Sequence, residues 1–228
     1  MRYQVITVRR DLQAQARQEA VEFRREMTRR KTCVVNVLSS PGAGKTSLLS
    51  ATLAMWQSRF RVAVLVGDIA TDRDAQRLAE HAPVVQLTTG GACHLEHSLV
   101  LRGWLALGEP QLDFLFIENV GNLVCPASHD LGEHCRVVLL SVTEGDDKPA
   151  KYPKAFYTSH AAVVSKCDLL PHVPFELHRA IADMHYVRED LPVFPTSVRP
   201  EAGLNAWSDW LIAQRGRIFS TYPQGEIA

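Results

Sequence analysis

One stretch limits the fold more than any other. Ser39-Ser40-Pro41-Gly42-Ala43-Gly44-Lys45-Thr46 follows the apolar run 33–38 and leads into Ser47-Leu48-Leu49. A strand that breaks on two near-adjacent glycines and restarts as a helix at Lys-Thr is built to wrap an anion. Glycine lets the backbone turn so that successive N–H groups point inward, and the start of the helix adds partial positive charge. The pattern matches a phosphate-binding loop, with Ser39 where the first glycine usually stands. It predicts that Gly42, Ala43, Gly44 and Ser47 line the phosphates. Lys45 is expected to reach the β- and γ-phosphates, and the Thr46 hydroxyl to ligate magnesium. The ligand class is a nucleoside triphosphate.

The rest of the chain alternates as such a loop requires. Short β-rich apolar runs are predicted at 33–38, 62–66, 84–87, 112–117, 137–142, 161–164 and 193–194, and helices at 46–56, 72–81, 95–107, 174–186 and 203–214. Near-continuous apolar runs suit strands covered on both faces. The alternation predicts an α/β fold with a doubly wound, mostly parallel sheet and flanking helices. Ahead of it, residues 9–30 read as one charged helix. Leu12, Ala16, Ala20, Phe23 and Met27 recur there at spacings of three and four, a shared face that packs on the domain. The expected division is an N-terminal helical arm at 1–32, a nucleotide domain with a metal site at 33–216, and a loose tail at 217–228.

The base reader is expected at Ser165-Lys166-Cys167-Asp168, directly after the run 161–164. It resembles the Asn-Lys-x-Asp loop of GTPases, with Ser165 in place of the asparagine. Asp168 would accept two hydrogen bonds from the N1–H and N2–H edge of guanine, which adenine lacks, and the Lys166 stem would lie along the base. Ser197, after the last strand, sits where backbone N–H groups brush guanine. Carboxylates at strand ends near the phosphates can hold the magnesium shell or orient the attacking water. Asp68 and Asp72 after the second strand, and Glu118 after the fourth, are the candidates. Asp72 suits a helix N-cap equally well. The Gly121 N–H is placed to sense the γ-phosphate.

The chain has 228 residues and a formal net charge of zero. That balance argues against a nucleic-acid partner, which needs a basic face. No apolar run is long enough to span a bilayer, no signal-peptide pattern is visible at residues 1–32, and the expected compartment is the cytoplasm. The five cysteines follow no disulfide spacing. Cys33 reads as core, and His134-Cys135 as lying on the far edge of the sheet. Cys93-His94 follows the third strand and Cys125 the fourth, so both fall on the edge that carries the phosphate loop. Two thiolates and an imidazole suit zinc, nickel or copper, and two copies across a two-fold axis would supply four sulfurs. Adjacent Cys-His pairs also arise by chance, so the residues alone leave a metal site and incidental side chains equally open. Glu96 and His97 are candidate supporting groups.

Four stretches taken together are specific. They are 39–49, 88–95, Ile117-Glu118-Asn119-Val120-Gly121-Asn122-Leu123-Val124-Cys125-Pro126, and Ser141-Val142-Thr143-Glu144-Gly145-Asp146-Asp147-Lys148-Pro149-Ala150-Lys151-Tyr152-Pro153. In this order they resemble the HypB family, the hydrogenase nickel-incorporation GTPases, over 33–168 with a fainter echo at 207–211. The resemblance implies a P-loop NTPase of the SIMIBI class that uses GTP, Mg2+, and Ni2+ and/or Zn2+. It implies metal ligation by Cys93, His94 and Cys125, and a homodimer formed on nucleotide or metal binding. It implies as partners a hydrogenase maturation protein and the hydrogenase large subunit, and that Lys148 reaches a phosphate across the dimer interface. Residues 1–32 contain neither cysteine nor histidine, so the N-terminal nickel sites of some members are not expected here.

Three rivals differ in detectable ways. A urease accessory GTPase is expected to carry Cys-Pro-His, where this chain has Cys93-His94. A small-molecule kinase needs an acceptor-site base and a lid, and neither is evident. A zinc-stabilised interaction module would bind GTP without hydrolysing it.

Overall fold

The computed structural model describes residues 8–68 and 73–220, apart from the side chains of residues 8–13 and 68. Asp72 and the tail from 221 onward lie outside the described residues. Seven strands form one sheet: β1 (Cys33–Ser39), β2 (Val62–Asp68), β3 (Val84–Thr88), β4 (Phe114–Gly121), β5 (Cys135–Ser141), β6 (Ala161–Ser165) and β7 (Val193–Pro195). Their order is β3-β2-β4-β1-β5-β6-β7, and every neighbouring pair is parallel. The helices are α1 (Val8–Arg29), α2 (Lys45–Trp56), α3 (Arg73–Ala79), α4 (His97–Ala106), α5 (Lys148–Lys151), α6 (Pro153–Tyr157), α7 (Leu177–Val187) and α8 (Leu204–Ser220). None of them is long and apolar enough to cross a membrane, among the described residues.

Strands β1, β5 and β6 are buried along their whole length, which is why their sequences are almost unbroken apolar runs. Alternate residues feed opposite layers, as the pleat demands. On one face Val35, Val37, Phe116 and Leu139 meet α2 and α8 through Leu49, Trp56, Trp207 and Leu211. On the other, Val34, Leu115 and Ile117 meet α1 and α4 through Phe23, Met27 and Trp104, while Val138, Leu140 and Val164 meet α6 and α7 through Phe156 and Met184. Each large side chain so buried contributes about 1.5–3 kcal/mol.

Several boundaries differ from expectation for identifiable reasons. β4 continues to Gly121 rather than ending at Ile117, because Glu118 is paired on both sides, with Val37 of β1 and Val66 of β2. β5 starts at Cys135, and α8 runs on to Ser220, past the domain end expected at 216. Residues 148–157, outside the expected helices, form α5 and α6, each with proline in its first turn, where a missing N–H costs nothing. In α1 the buried stripe is Ala20, Phe23 and Met27. Ala16 is exposed, and the contacts come from the C-terminal half, where Arg24 Nε donates to the Glu133 carbonyl at 2.8 Å.

Because every strand runs the same way, the segments that follow them gather on one edge. That edge carries the phosphate loop, the turn after β3, the end of β4 and the loop after β6.

Candidate nucleotide and metal site

Gly42 and Gly44 have φ of 72° and 98°, the left-handed region that glycine enters without a Cβ penalty. Gly44 caps α2 with no side-chain hydrogen bond, so the first helical N–H groups face the loop, where an anion can take them. Lys45 and Thr46 are both buried. Lys45 Nζ donates to Ser39 Oγ at 3.0 Å, so the serine that replaces the first glycine holds the lysine in place. Thr46 Oγ1 donates to Glu118 Oε1 at 2.8 Å. Glu118 Oε2 is buried with no hydrogen-bond partner among the described residues. Burial pushes this carboxyl up to about 7, against the pull of the Lys45 charge and the Thr46 hydroxyl. An orphaned carboxylate oxygen beside a threonine hydroxyl is a hard-oxygen donor set, and it fits a partly hydrated Mg2+.

The base loop is fastened to the phosphate loop. Ser165 Oγ donates to the Ala43 carbonyl at 2.6 Å and Lys166 Nζ to the Gly42 carbonyl at 2.7 Å. Lys166 is itself left-handed, at φ 60° and ψ 35°. Asp168 Oδ1 accepts from Ser197 Oγ at 2.6 Å, so the Ser197 hydroxyl orients the candidate guanine reader. Asp68 ends β2, paired with Thr88 of β3. Lys148 lies 3.7 Å from Glu144 and over the Tyr152 ring, 5.1 Å from its centre.

The metal candidates meet. Ligand atoms of Cys93, His94 and Cys125 all lie within 4.8 Å of one another. Cys93 is exposed and Cys125 half-buried, and Cys93 Sγ is 3.7 Å from His94 Nδ1. A hydrogen bond with Cys125, then burial, raises the Cys93 thiol. Burial, then the neighbouring His129, lowers His94, which keeps its imidazole neutral and able to ligate. The loops are joined by Asn122, whose amide donates to the Cys93 carbonyl at 3.2 Å while its Oδ1 accepts the Val124 N–H at 2.8 Å. Directly before it, Gly121 packs on the phosphate loop; a Cβ there would stand 2.8 Å from Pro41 Cα. Pro41, Gly121, Asn122 and Cys93 thus form a line from the phosphate loop to the Cys93 backbone. Cys125 closes it at the head of a single 3-10 turn, Pro126–Ser128.

Other candidates are elsewhere. His97 is buried, donates from Nδ1 to the Leu131 carbonyl at 3.1 Å, and meets the Phe23 ring edge-on, so it is a core residue. Glu96 is exposed and acts on His94 only by its charge. Cys33 and Cys135 are buried at the opposite strand ends, where His134 Nδ1 accepts the Val34 N–H at 3.0 Å.

Two features lay beyond the sequence reading. His129 stacks on His94. A buried polar chain also runs beneath the site: Asn119 Nδ2 donates to Asn36 Oδ1, Asn36 Nδ2 to Glu133 Oε1, and Arg136 Nε to the same Glu133 oxygen. Arg136 then holds the carbonyls of Ala127 and His129 at 3.0 and 2.6 Å. Amides and charges inside apolar runs were the signal for this network. His129 left none, since its partner is on another loop.

Comparison with known proteins shows the family. The nucleotide-binding domain model of the CobW/HypB/UreG family matches residues 33–195. The hydrogenase maturation factor HypB of Azotobacter vinelandii is 42% identical over 213 residues, covering 93% of this chain and 70% of that protein. The crystal structure of HypB from Helicobacter pylori in complex with nickel superposes with a TM-score of 0.85 at 35% identity, over 94% of this chain and 99% of that one. HypB from Archaeoglobus fulgidus gives 0.83 at 29% identity, over 89% and 99%. The chain belongs to the HypB hydrogenase maturation factors of the CobW/HypB/UreG family and is a P-loop GTPase.

Proposed function

We propose that this protein is a GTP-dependent metal carrier. It takes nickel, or zinc, at Cys93, His94 and Cys125 and assists nickel insertion into [NiFe]-hydrogenase. The observation that supports this most is the continuity of the two sites: two sulfur donors and one nitrogen donor lie within 4.8 Å, their loops are joined through Asn122, and the preceding Gly121 packs on the phosphate loop at Pro41. The nickel complex of the Helicobacter pylori relative points to the same cargo.

In this reading Gly42, Ala43, Gly44 and Ser47 cradle the phosphates, Lys45 offsets their charge, and Asp168 with Lys166 reads guanine. Thr46 and Glu118 would hold Mg2+, which supplies charge neutralisation at the β- and γ-phosphates. Asp68 or Asp72 orients the water that converts GTP to GDP and phosphate, and the Gly121 N–H registers whether the γ-phosphate is present. One subunit offers three metal donors and an exposed Cys93, so a second copy completes the coordination and a homodimer forms. Lys148 then contacts a phosphate across the interface. Hydrolysis loosens the dimer and releases nickel towards the hydrogenase large subunit in the cytoplasm, where free thiols stay reduced. The coupling equals the difference in metal affinity between the nucleotide states and no more. Unassisted turnover is expected to be slow, about 10⁻⁴ to 10⁻² per second.

Native mass measurement with nickel, with and without a GTP analogue, tests the proposal. Dimers carrying nickel only with the analogue support it. A monomer without metal in both states would remove it.

A further inference from the structure

His129 is not among the donors that gather within 4.8 Å, yet its imidazole stacks on that of His94, with ring centres 3.8 Å apart and planes 19° from parallel. We infer that His129 is a positioning residue of the metal site: a ring clamp that holds the His94 imidazole in its ligating orientation without itself binding the ion. The inference rests on the metal-site reading above.

His129 is anchored at its ring by the Cys125 carbonyl and at its backbone by a buried arginine, whereas the His94 ring contacts its neighbour Cys93 at 3.7 Å. Its Nδ1 lies 2.8 Å from the Cys125 carbonyl. A carbonyl only accepts, so Nδ1 carries the proton and the tautomer is fixed. Its own carbonyl is gripped by Arg136 Nη2 at 2.6 Å, and Arg136 is buried against Glu133. His94, by contrast, sits next to exposed Cys93 on a loop that leaves β3 through two left-handed glycines, Gly90 and Gly91. A ring on such a loop loses rotational freedom when it ligates. A stacked partner removes part of that freedom beforehand, which is preorganisation. The clamp also ties the nitrogen donor on one loop to the backbone of the sulfur donor Cys125 on the other.

Stacking also argues against His129 as a fourth donor to the same ion. An imidazole lone pair lies in the ring plane and needs the metal about 2.0–2.1 Å away. An ion in the plane of His94 stands well outside the plane of a ring stacked on it, so one ion cannot take both lone pairs.

The test is a double-mutant cycle in the full-length protein, with nickel(II) chloride titrated against a chromophoric chelator. His129→Ala should weaken nickel binding about three- to tenfold, the scale of re-immobilising one side chain. His129→Phe keeps a ring on the stack but loses the Nδ1–H bond to Cys125, and should bind nickel at least about twofold tighter than His129→Ala. In a His94→Ala background, adding His129→Ala should change affinity by less than about twofold, because the clamp has nothing left to hold. The thiolate-to-nickel charge-transfer band of His129→Ala should move towards that of His94→Ala. The clamp is overturned if His129→Ala costs the same with and without His94, if phenylalanine fails to rescue, or if His129→Ala has no effect while His94→Ala weakens binding. If His94→Ala leaves nickel affinity unchanged, the metal-site reading itself fails, and the clamp falls with it.

Discussion

The Thr46 hydroxyl donates a 2.8 Å hydrogen bond to Oε1 of Glu118, and the second oxygen of that carboxylate is buried with no hydrogen-bond partner among the described residues. This contact joins the phosphate loop to β4, and β4 continues through Gly121 towards Cys125. The phosphate loop is thus tied by a side-chain hydrogen bond to the strand that leads into the Cys125 turn.

The buried carboxyl gives a pH signature. Burial raises Glu118 from an ordinary 4.5 to about 7 in the folded, nucleotide-free protein. A raised carboxyl favours the fold while protonated, so its contribution is fully present below 4.5 and is lost as pH rises through about 7. The scale is up to about 3 kcal/mol. Nucleotide-free wild type should lose melting temperature from pH 5 to pH 8 relative to Glu118→Gln, which cannot ionise there. Parallel curves for the two proteins would contradict the assignment.

Gly121→Ala tests the junction between the sites. The added methyl would stand 2.8 Å from Pro41 Cα and 2.9 Å from its nitrogen, and backbone cannot step aside as a flexible side chain can. The expected cost is about 1–3 kcal/mol, expressed as displacement of the phosphate loop. Titration with a fluorescent GDP analogue should give affinity at least about fivefold weaker than wild type. Unchanged affinity would mean that the contact is slack.

We propose that base choice is carried by Asp168. Asp168→Asn replaces an acceptor of the guanine N–H edge with a donor. Competition binding should show GDP weakened by about 100-fold or more and xanthosine diphosphate gaining against it. Ser197→Ala removes the 2.6 Å bond that orients the carboxylate. It should weaken GDP only about three- to tenfold, the worth of one such bond. Equal preference for adenine and guanine nucleotides in the wild type would remove Asp168 from its role.

The inner strands were legible because they are buried on both faces, so Val34-Val35 or Val137-Val138 need no polar alternation and stand out as runs. Ser39 to Thr46 was legible because a local backbone geometry requires glycine at fixed places. Long-range partners were not. Glu118 and Asn119 looked like a strand's end because both are polar, yet each has a buried partner, Thr46 and Asn36 respectively. His97 looked like a neighbour of the metal pair, but the start of α4 turns it into the core against Phe23. Residue 129 falls outside the elements the sequence predicts, and the stacking of His129 on His94 follows only from a fold that brings the turn after β4 against the turn after β3.

We propose that nucleotide and metal are read on one rim through Gly121. Nickel affinity measured on the same protein with a GTP analogue and with GDP tests it most directly. Nickel should bind more tightly with the analogue, by about five- to 150-fold, the usual span of site-to-site coupling. Identical affinities in the two states would contradict it.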